Sequence, residues 1–133
     1  MILGAGNDLV SIARMARIHE RHGERFERRV LGEAERADLA EGEGRAADLA
    51  LRFAAKEAIL KSLGAGLFRF SLQEMEVRRA PDGRYSVVTH GELRAEFLRR
   101  GVRAMHLDAT TAGDMAAALA VAEGGPERRR SWL

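Results

Sequence analysis

The chain has 133 residues, 46% of them hydrophobic and 32% charged, which fits one globular domain with one core and excludes a disordered chain. It has no cysteine, so a disulfide framework is excluded and a reducing, cytoplasmic setting is expected; no apolar run reaches the length of a membrane span, and the N-terminus lacks the layout of a signal peptide. The net charge of +2 makes no global demand for nucleic acid, although arginine gathers between residues 14 and 29 and again at Arg128, Arg129 and Arg130.

Residues 1–12 read as a buried strand rich in Ile, Leu and Val, with Gly4 and Gly6 permitting a bulge or a close backbone approach. Asp8 sits among apolar neighbours. It is either a turn or cap aspartate or a carboxylate held on rigid strand backbone and aimed at a site. Residues 13–22 then read as a helix on which Arg14, Arg17 and Arg21 share one face, and Arg25 and Arg28 continue the spacing past a break at Gly23. Such a ridge is a solvated face or a dock for an acidic partner, because arginine forks suit carboxylates and phosphates. A further helix starts at Glu33, and Glu41 to Gly44 form a polar loop too short to link domains.

The stretch RFAAKEAILKSLGAG, residues 52–66, lies in a long helix expected over 45–63. At about 100° per residue, Ala46, Leu49, Phe53 and Leu60 make one apolar stripe. Lys56 falls inside that stripe and Glu57 on its flank, and a charge so placed must be paired or ligated. Lys61 follows Glu57 by one turn, as an ordinary surface pair or as part of a site. Gly64 and Gly66 end the helix and are expected to bare backbone N–H groups. Arg52, Glu57, two lysines and a glycine turn form a collection that suits a metal-bound phosphate ligand.

Residues 70–78 alternate as a strand, residues 80–83 (Ala-Pro-Asp-Gly) signal a hairpin, and 84–89 return. A helix is expected over 91–100, stopped by Gly101, and a strand over 102–109. Residues 115–123 have helix-favouring alanines but keep a period of two, and are read as the second arm of a hairpin. Residues 1–123 form the domain and 124–133 a basic, mobile tail.

Three stretches, GAGNDLVSIARM, RFERRVLGEAE and RFAAKEAILKSLGAG, resemble in order and spacing the holo-acyl-carrier-protein synthases, small bacterial 4′-phosphopantetheinyl transferases. The resemblance extends nearly to Glu123. It implies an α+β fold, antiparallel strands packed on a long central helix, and a homotrimer with coenzyme A bound between subunits. It implies transfer of the phosphopantetheine arm of coenzyme A to a serine of an acidic apo acyl carrier protein, with release of adenosine 3′,5′-bisphosphate and a requirement for Mg2+. On this resemblance Asp8 and Glu57 are the metal carboxylates, and Lys61 stabilises the phosphates and assists the leaving group. Arg52, Gly64 and Gly66 contact the remaining phosphate oxygens. Glu57 acting through water, or a metal-polarised water, serves as base. Arg14 matches a carrier-docking arginine, and helical spacing extends that role to Arg17, Arg21 and Arg25. Neither a membrane nor nucleic acid is an expected partner.

The chain departs from the family pattern at four places. Ser11 stands where a glutamate is frequent, Ala65 where threonine is common, and Gly83-Arg84-Tyr85 where the hairpin usually reads Gly-Lys-Pro. Asp108, Thr110 and Thr111 replace a serine, a threonine or serine, and a histidine. The last two changes fall on the family's nucleotide side. Tyr85 is either a stacking partner for adenine or a half-buried strand tyrosine, and Asp108 would repel a 3′-phosphate, so weaker coenzyme A binding is expected. A degenerate relative that docks a carrier protein without catalysis is the alternative reading; a basic nucleic-acid-binding domain is a further rival, disfavoured because the arginine clusters lack interleaved aromatics.

Overall fold

The computed structural model describes residues 1–66 and 69–125. One antiparallel sheet is built from β1 (Ile2–Ser11), β2 (Met75–Arg79), β3 (Tyr85–Thr89), β4 (Val102–Ala112) and β5 (Met115–Gly124), in the order β1-β5-β4-β3-β2. The helices are α1 (Ile12–His22), α2 (Glu24–Val30), α3 (Glu33–Asp38), α4 (Gly44–Ser62) and α5 (Gly91–Arg100). This is the expected α+β arrangement, with the long α4 lying across β1 and β5.

Glycine and alanine make that close packing possible. A Cβ at Gly4 would collide with the Ser62 carbonyl, and one at Gly6 with the carbonyl of Ala58, so β1 rests on α4 backbone to backbone. In β5, Ala116, Ala118, Ala120 and Ala122 are buried. The odd-numbered residues face outward, where Met115 and Leu119 are exposed beside Leu9 of β1. The period of two thus prevails over the helix propensity of alanine.

Two apolar clusters flank α4. Ala54, Ala55, Ala58, Ile59 and Leu60 meet β2, β4, β5 and Leu93 and Phe97 of α5 on one side. Leu49 and Ala50 meet Met15, Val30, Leu31, Leu39 and Ala116 on the other. Ser11 caps α1, accepting from Arg14 N at 3.1 Å and donating to Asp114 Oδ2 at 2.9 Å.

Three boundaries differ from expectation, and the first is β4, which runs on to Ala112 past the expected end at 109. The strand expected over 70–78 begins only at Met75, because residues Leu72–Glu74 form a 3-10 turn. That turn aims the Glu74 carboxylate at the start of α5, where it accepts from Glu92 N and Leu93 N, each at 3.2 Å. Gly124, assigned to the tail, is the last residue of β5, and its N–H donates to the Met1 carbonyl at 2.8 Å. The rest of the expected tail, from Pro126 on, lies outside the described residues.

Candidate functional site

The seating of β1 on α4 fixes which side chains meet. Asp8, two residues beyond Gly6, comes beside Lys61, whose Nζ donates to Asp8 Oδ1 at 2.9 Å and to the Asn7 carbonyl at 3.0 Å. Lys61 therefore pairs with Asp8 rather than with Glu57 one turn behind it. Asp8 is no cap: its other oxygen, Oδ2, is buried without a hydrogen-bond partner. A buried carboxylate oxygen left so is costly unless something fills it.

Glu57 supplies the second carboxyl. Its pKa is pushed up to about 7, first by burial and then by the adjoining Asp8 carboxyl, while Lys61 and Arg14 oppose the rise. The two carboxyls share a hydrogen bond while Glu57 holds its proton, and face each other as like charges once it is lost. A divalent cation would satisfy both, since Mg2+ takes oxygen ligands. Among the described residues no third His, Cys, Asp or Glu joins them. Any further ligands would come from water or a substrate's phosphates. Ser11, where the family pattern often has a third acid, is committed to capping α1.

The glycine turn behaves differently from expectation. Gly64 has φ of +68°, but its N–H donates to the Lys61 carbonyl at 3.0 Å, and Ala65 N donates to the Leu60 carbonyl at 2.9 Å. These N–H groups close the helix instead of standing bare. Beside the turn lies a cavity of about 320 Å³, lined by Gly4, Lys61, Ser62, Gly64 and Arg100 among others. Gly66 is exposed and does not line it.

Arg52 is not brought to this place. It is buried, and its guanidinium donates to Asp48 Oδ1 at 3.1 Å and to the Val77 carbonyl at 3.0 Å, with Glu35 Oε2 at 3.6 Å. It is a structural cation of the core, and the expectation that it contacts phosphate is corrected. Lys56 belongs to the same network. Its Nζ donates to Glu35 Oε1 and the Val30 carbonyl, both at 2.6 Å, and to the Leu72 carbonyl at 2.9 Å. Burial lowers its pKa to about 8, opposed by Glu35, so it remains an ammonium at neutral pH. Glu35, the centre of this network, is not marked out by the sequence; a glutamate in the first turn of a short helix has no distinguishing local signal.

Tyr85 and Asp108 line one cleft with Arg84 and His106, so the departures on the expected nucleotide side do cluster. Tyr85 is half-buried against the core, and the Arg79 guanidinium lies 5.5 Å from its ring centroid. Thr110 and Thr111 are exposed near the end of β4.

Arg14, Arg17 and Arg21 line one groove with Ile18 and His22, and Arg25 lines the next groove with Ile18, His22, Phe26 and Arg29. The helix break at Gly23 therefore leaves the basic face continuous. A third cleft, of about 610 Å³, has Phe26, Phe53, Phe70 and Leu72 in its walls and Arg29 and Arg69 in its lining. Phe53 precedes Glu57 by one turn of α4, which places apolar surface next to the paired acids. Ile18, His22 and Phe53 are not among the site residues expected from the sequence. Their spacing on α1 and α4 is the available signal, but each also fits a core position.

The model of the 4′-phosphopantetheinyl transferase superfamily matches residues 4–120. A holo-[acyl-carrier-protein] synthase of Acidithiobacillus ferrooxidans is 47% identical over 105 residues, 77% of this chain and 79% of that protein. The crystal structure of the corresponding synthase from Neisseria meningitidis superposes with a TM-score of 0.85 at 30% identity, covering 92% of this chain and 99% of that one. A Bacillus anthracis synthase crystallised with CoA (3′,5′-ADP) superposes with a TM-score of 0.77 at 29% identity, covering 94% and 99%. With the family model spanning both Asp8 and Glu57 and relatives matched over most of their length, the chain belongs to the 4′-phosphopantetheinyl transferase superfamily, with the holo-[acyl-carrier-protein] synthases as its relatives.

Proposed function

We propose that this protein transfers the 4′-phosphopantetheine group of coenzyme A to a serine hydroxyl of an apo acyl carrier protein, with adenosine 3′,5′-bisphosphate as the other product and Mg2+ required. The observation that carries the reading is the meeting of Asp8, Glu57 and Lys61, with a buried Asp8 oxygen left without a partner. The serine oxygen forms a bond to the phosphorus that bears pantetheine, and the bond from that phosphorus to the bridging oxygen breaks. Lys61 offsets the charge that collects on the departing phosphate. The serine proton passes through water to Glu57. A bound Mg2+, held by Asp8 and Glu57, would neutralise phosphate charge. Arg14, Arg17, Arg21 and Arg25 receive the acidic carrier.

The coenzyme A complex of the Bacillus anthracis relative supports coenzyme A as the donor. The exposed apolar face of β1 and β5, with Leu9, Met115 and Leu119, suits burial between copies of the chain and supports a homotrimer. Sedimentation of the Leu119→Glu variant as a monomer beside a trimeric wild type is expected; equal sedimentation would remove that support. A cytoplasmic location is proposed from the missing cysteines; among the described residues no helix is long and apolar enough to cross a membrane.

The test of the reaction is the intact mass of an apo acyl carrier protein after incubation with this protein, coenzyme A and Mg2+. A gain of one phosphopantetheine, missing with the Asp8→Ala, Glu57→Ala double variant, is expected. An unchanged mass across several carriers at high coenzyme A would favour the reading that Asp108 and Arg84-Tyr85 have left a carrier-binding protein without catalysis.

A further inference from the structure

We propose that Arg100, at the end of α5, is a second phosphate-binding cation, taking a phosphate group of coenzyme A in the cavity it lines together with Lys61. The proposal rests on the donor assigned above and names a contact that the family motifs do not include. Arg100 and Lys61 come from elements far apart in sequence, yet both line the cavity of about 320 Å³ beside the α4 terminus. Gly64 leaves its wall open, since a Cβ built there would meet nothing within 4 Å.

Arg100 is held in a set orientation. Its Nε donates to Glu96 Oε1 at 2.6 Å, Glu96 is itself buried, and Nη1 donates to the Leu63 carbonyl. Such bonds fix the plane of the fork before any ligand arrives, which reduces the ordering cost of binding an anion. The remaining guanidinium N–H groups stay available, and the side chain is 41% exposed. The location also demands a cation. The C-terminal end of α4 carries partial negative charge on its last carbonyls and would repel a phosphate. Lys61 has spent bonds on Asp8 and Asn7, so Arg100 is the second positive group that can offset that field. The alternative role, a plain cap on the Leu63 carbonyl, predicts effects on stability alone.

The experiment is calorimetric titration of coenzyme A, and separately of dephospho-coenzyme A, into wild type, Arg100→Gln and Arg100→Lys, with thermal melts of each and no carrier protein present. Arg100→Gln is expected to weaken coenzyme A at least about 10-fold, as for the loss of a charged hydrogen bond. Arg100→Lys is expected to recover part of that loss. In turnover, the rise in KM for coenzyme A exceeds any fall in kcat. Equal losses for both ligands would place Arg100 on the diphosphate, and a loss confined to coenzyme A on the 3′-phosphate; either supports the proposal. Wild-type affinity in Arg100→Gln would overturn it. So would affinity losses in both variants that merely follow a fall in melting temperature. A wild type that binds no coenzyme A would instead sink the proposed donor.

Discussion

Lys56 and Glu57 are consecutive residues of α4 with opposite surroundings: Lys56 is fully buried and bonded to Glu35, while Glu57 adjoins Asp8 at the surface site. One turn of helix thus carries both the internal strut of the fold and its proposed chemistry. Lys56 ties the end of α2, through the Val30 carbonyl, to the 3-10 turn, through Leu72. Replacing it with methionine leaves Glu35 buried beside Arg52 alone. Lys56→Met is expected to cost about 3–5 kcal/mol in urea unfolding, the range for breaking one partner out of a buried ion pair. Lys56→Met, Glu35→Gln should recover part of it, since no uncompensated charge then remains. A loss below about 1 kcal/mol in the single variant would show that the network contributes little.

How much of this was legible in the sequence follows from the range of the forces involved. The order and type of nearly every element could be read, because they rest on local period, glycine stops and caps. The contact of Asp8 with Lys61 rests on Gly4 and Gly6, whose meaning as points of close approach was legible while their partner was not. Arg52 was misplaced because an arginine next to an apolar stripe reads alike whether it turns to a ligand or to Asp48 and Glu35. The glycine turn was legible as a stop, but its N–H groups are consumed by the carbonyls of Leu60 and Lys61, which only the closed helix end reveals. Arg100 had a signal, the i,i+4 spacing from Glu96, that is indistinguishable from a surface pair until Glu96 is seen to be buried.

Asp8 should trade stability for function. Without a cation its buried oxygen lacks a partner and it raises the pKa of Glu57. Asp8→Asn removes one of the two adjoining charges and should melt at least as high as wild type in the absence of metal. It should also lose the rise in melting temperature that Mg2+ gives the wild type, and lower turnover by at least about 100-fold, as expected for loss of an electrostatic group at the reacting phosphate. An Asp8→Asn variant that still responds to Mg2+ and turns over normally would refute the metal assignment.

The basic face of α1 and α2 should show itself in kinetics. Arg17 and Arg21 are exposed and line the same groove. Reversing both, as Arg17→Glu, Arg21→Glu, should raise KM for the carrier protein about 10-fold or more while kcat at saturation holds better. Wild-type kcat/KM should fall steeply with added NaCl, and the reversed variant should lose most of that dependence. Identical salt curves for the two proteins would mean that the arginines are only a solvated face.

The pH dependence of the metal-free protein should have its origin largely in Glu57. Its pKa rises from 4.5 in the unfolded chain to about 7 in the fold. Between those values the native state holds a proton that the unfolded chain has released, so stability must fall as pH rises through that window and level off above it. Glu27 and Glu76 act in the opposite direction. Arg45 holds the Glu27 carboxyl low, and Arg78 does the same for Glu76, so their contributions are present above about 4.5 and are lost as pH falls below it. The metal-free protein should therefore be most stable near a pH of about 5. Urea unfolding from about pH 4 to about pH 8 should show the decline above that optimum in wild type and a flatter curve in Glu57→Gln. Saturating Mg2+ should flatten the wild-type curve as well, because a cation binds the ionised carboxylates and displaces the proton. If Glu57→Gln declines as steeply as wild type, the proton lost in that window belongs to another group.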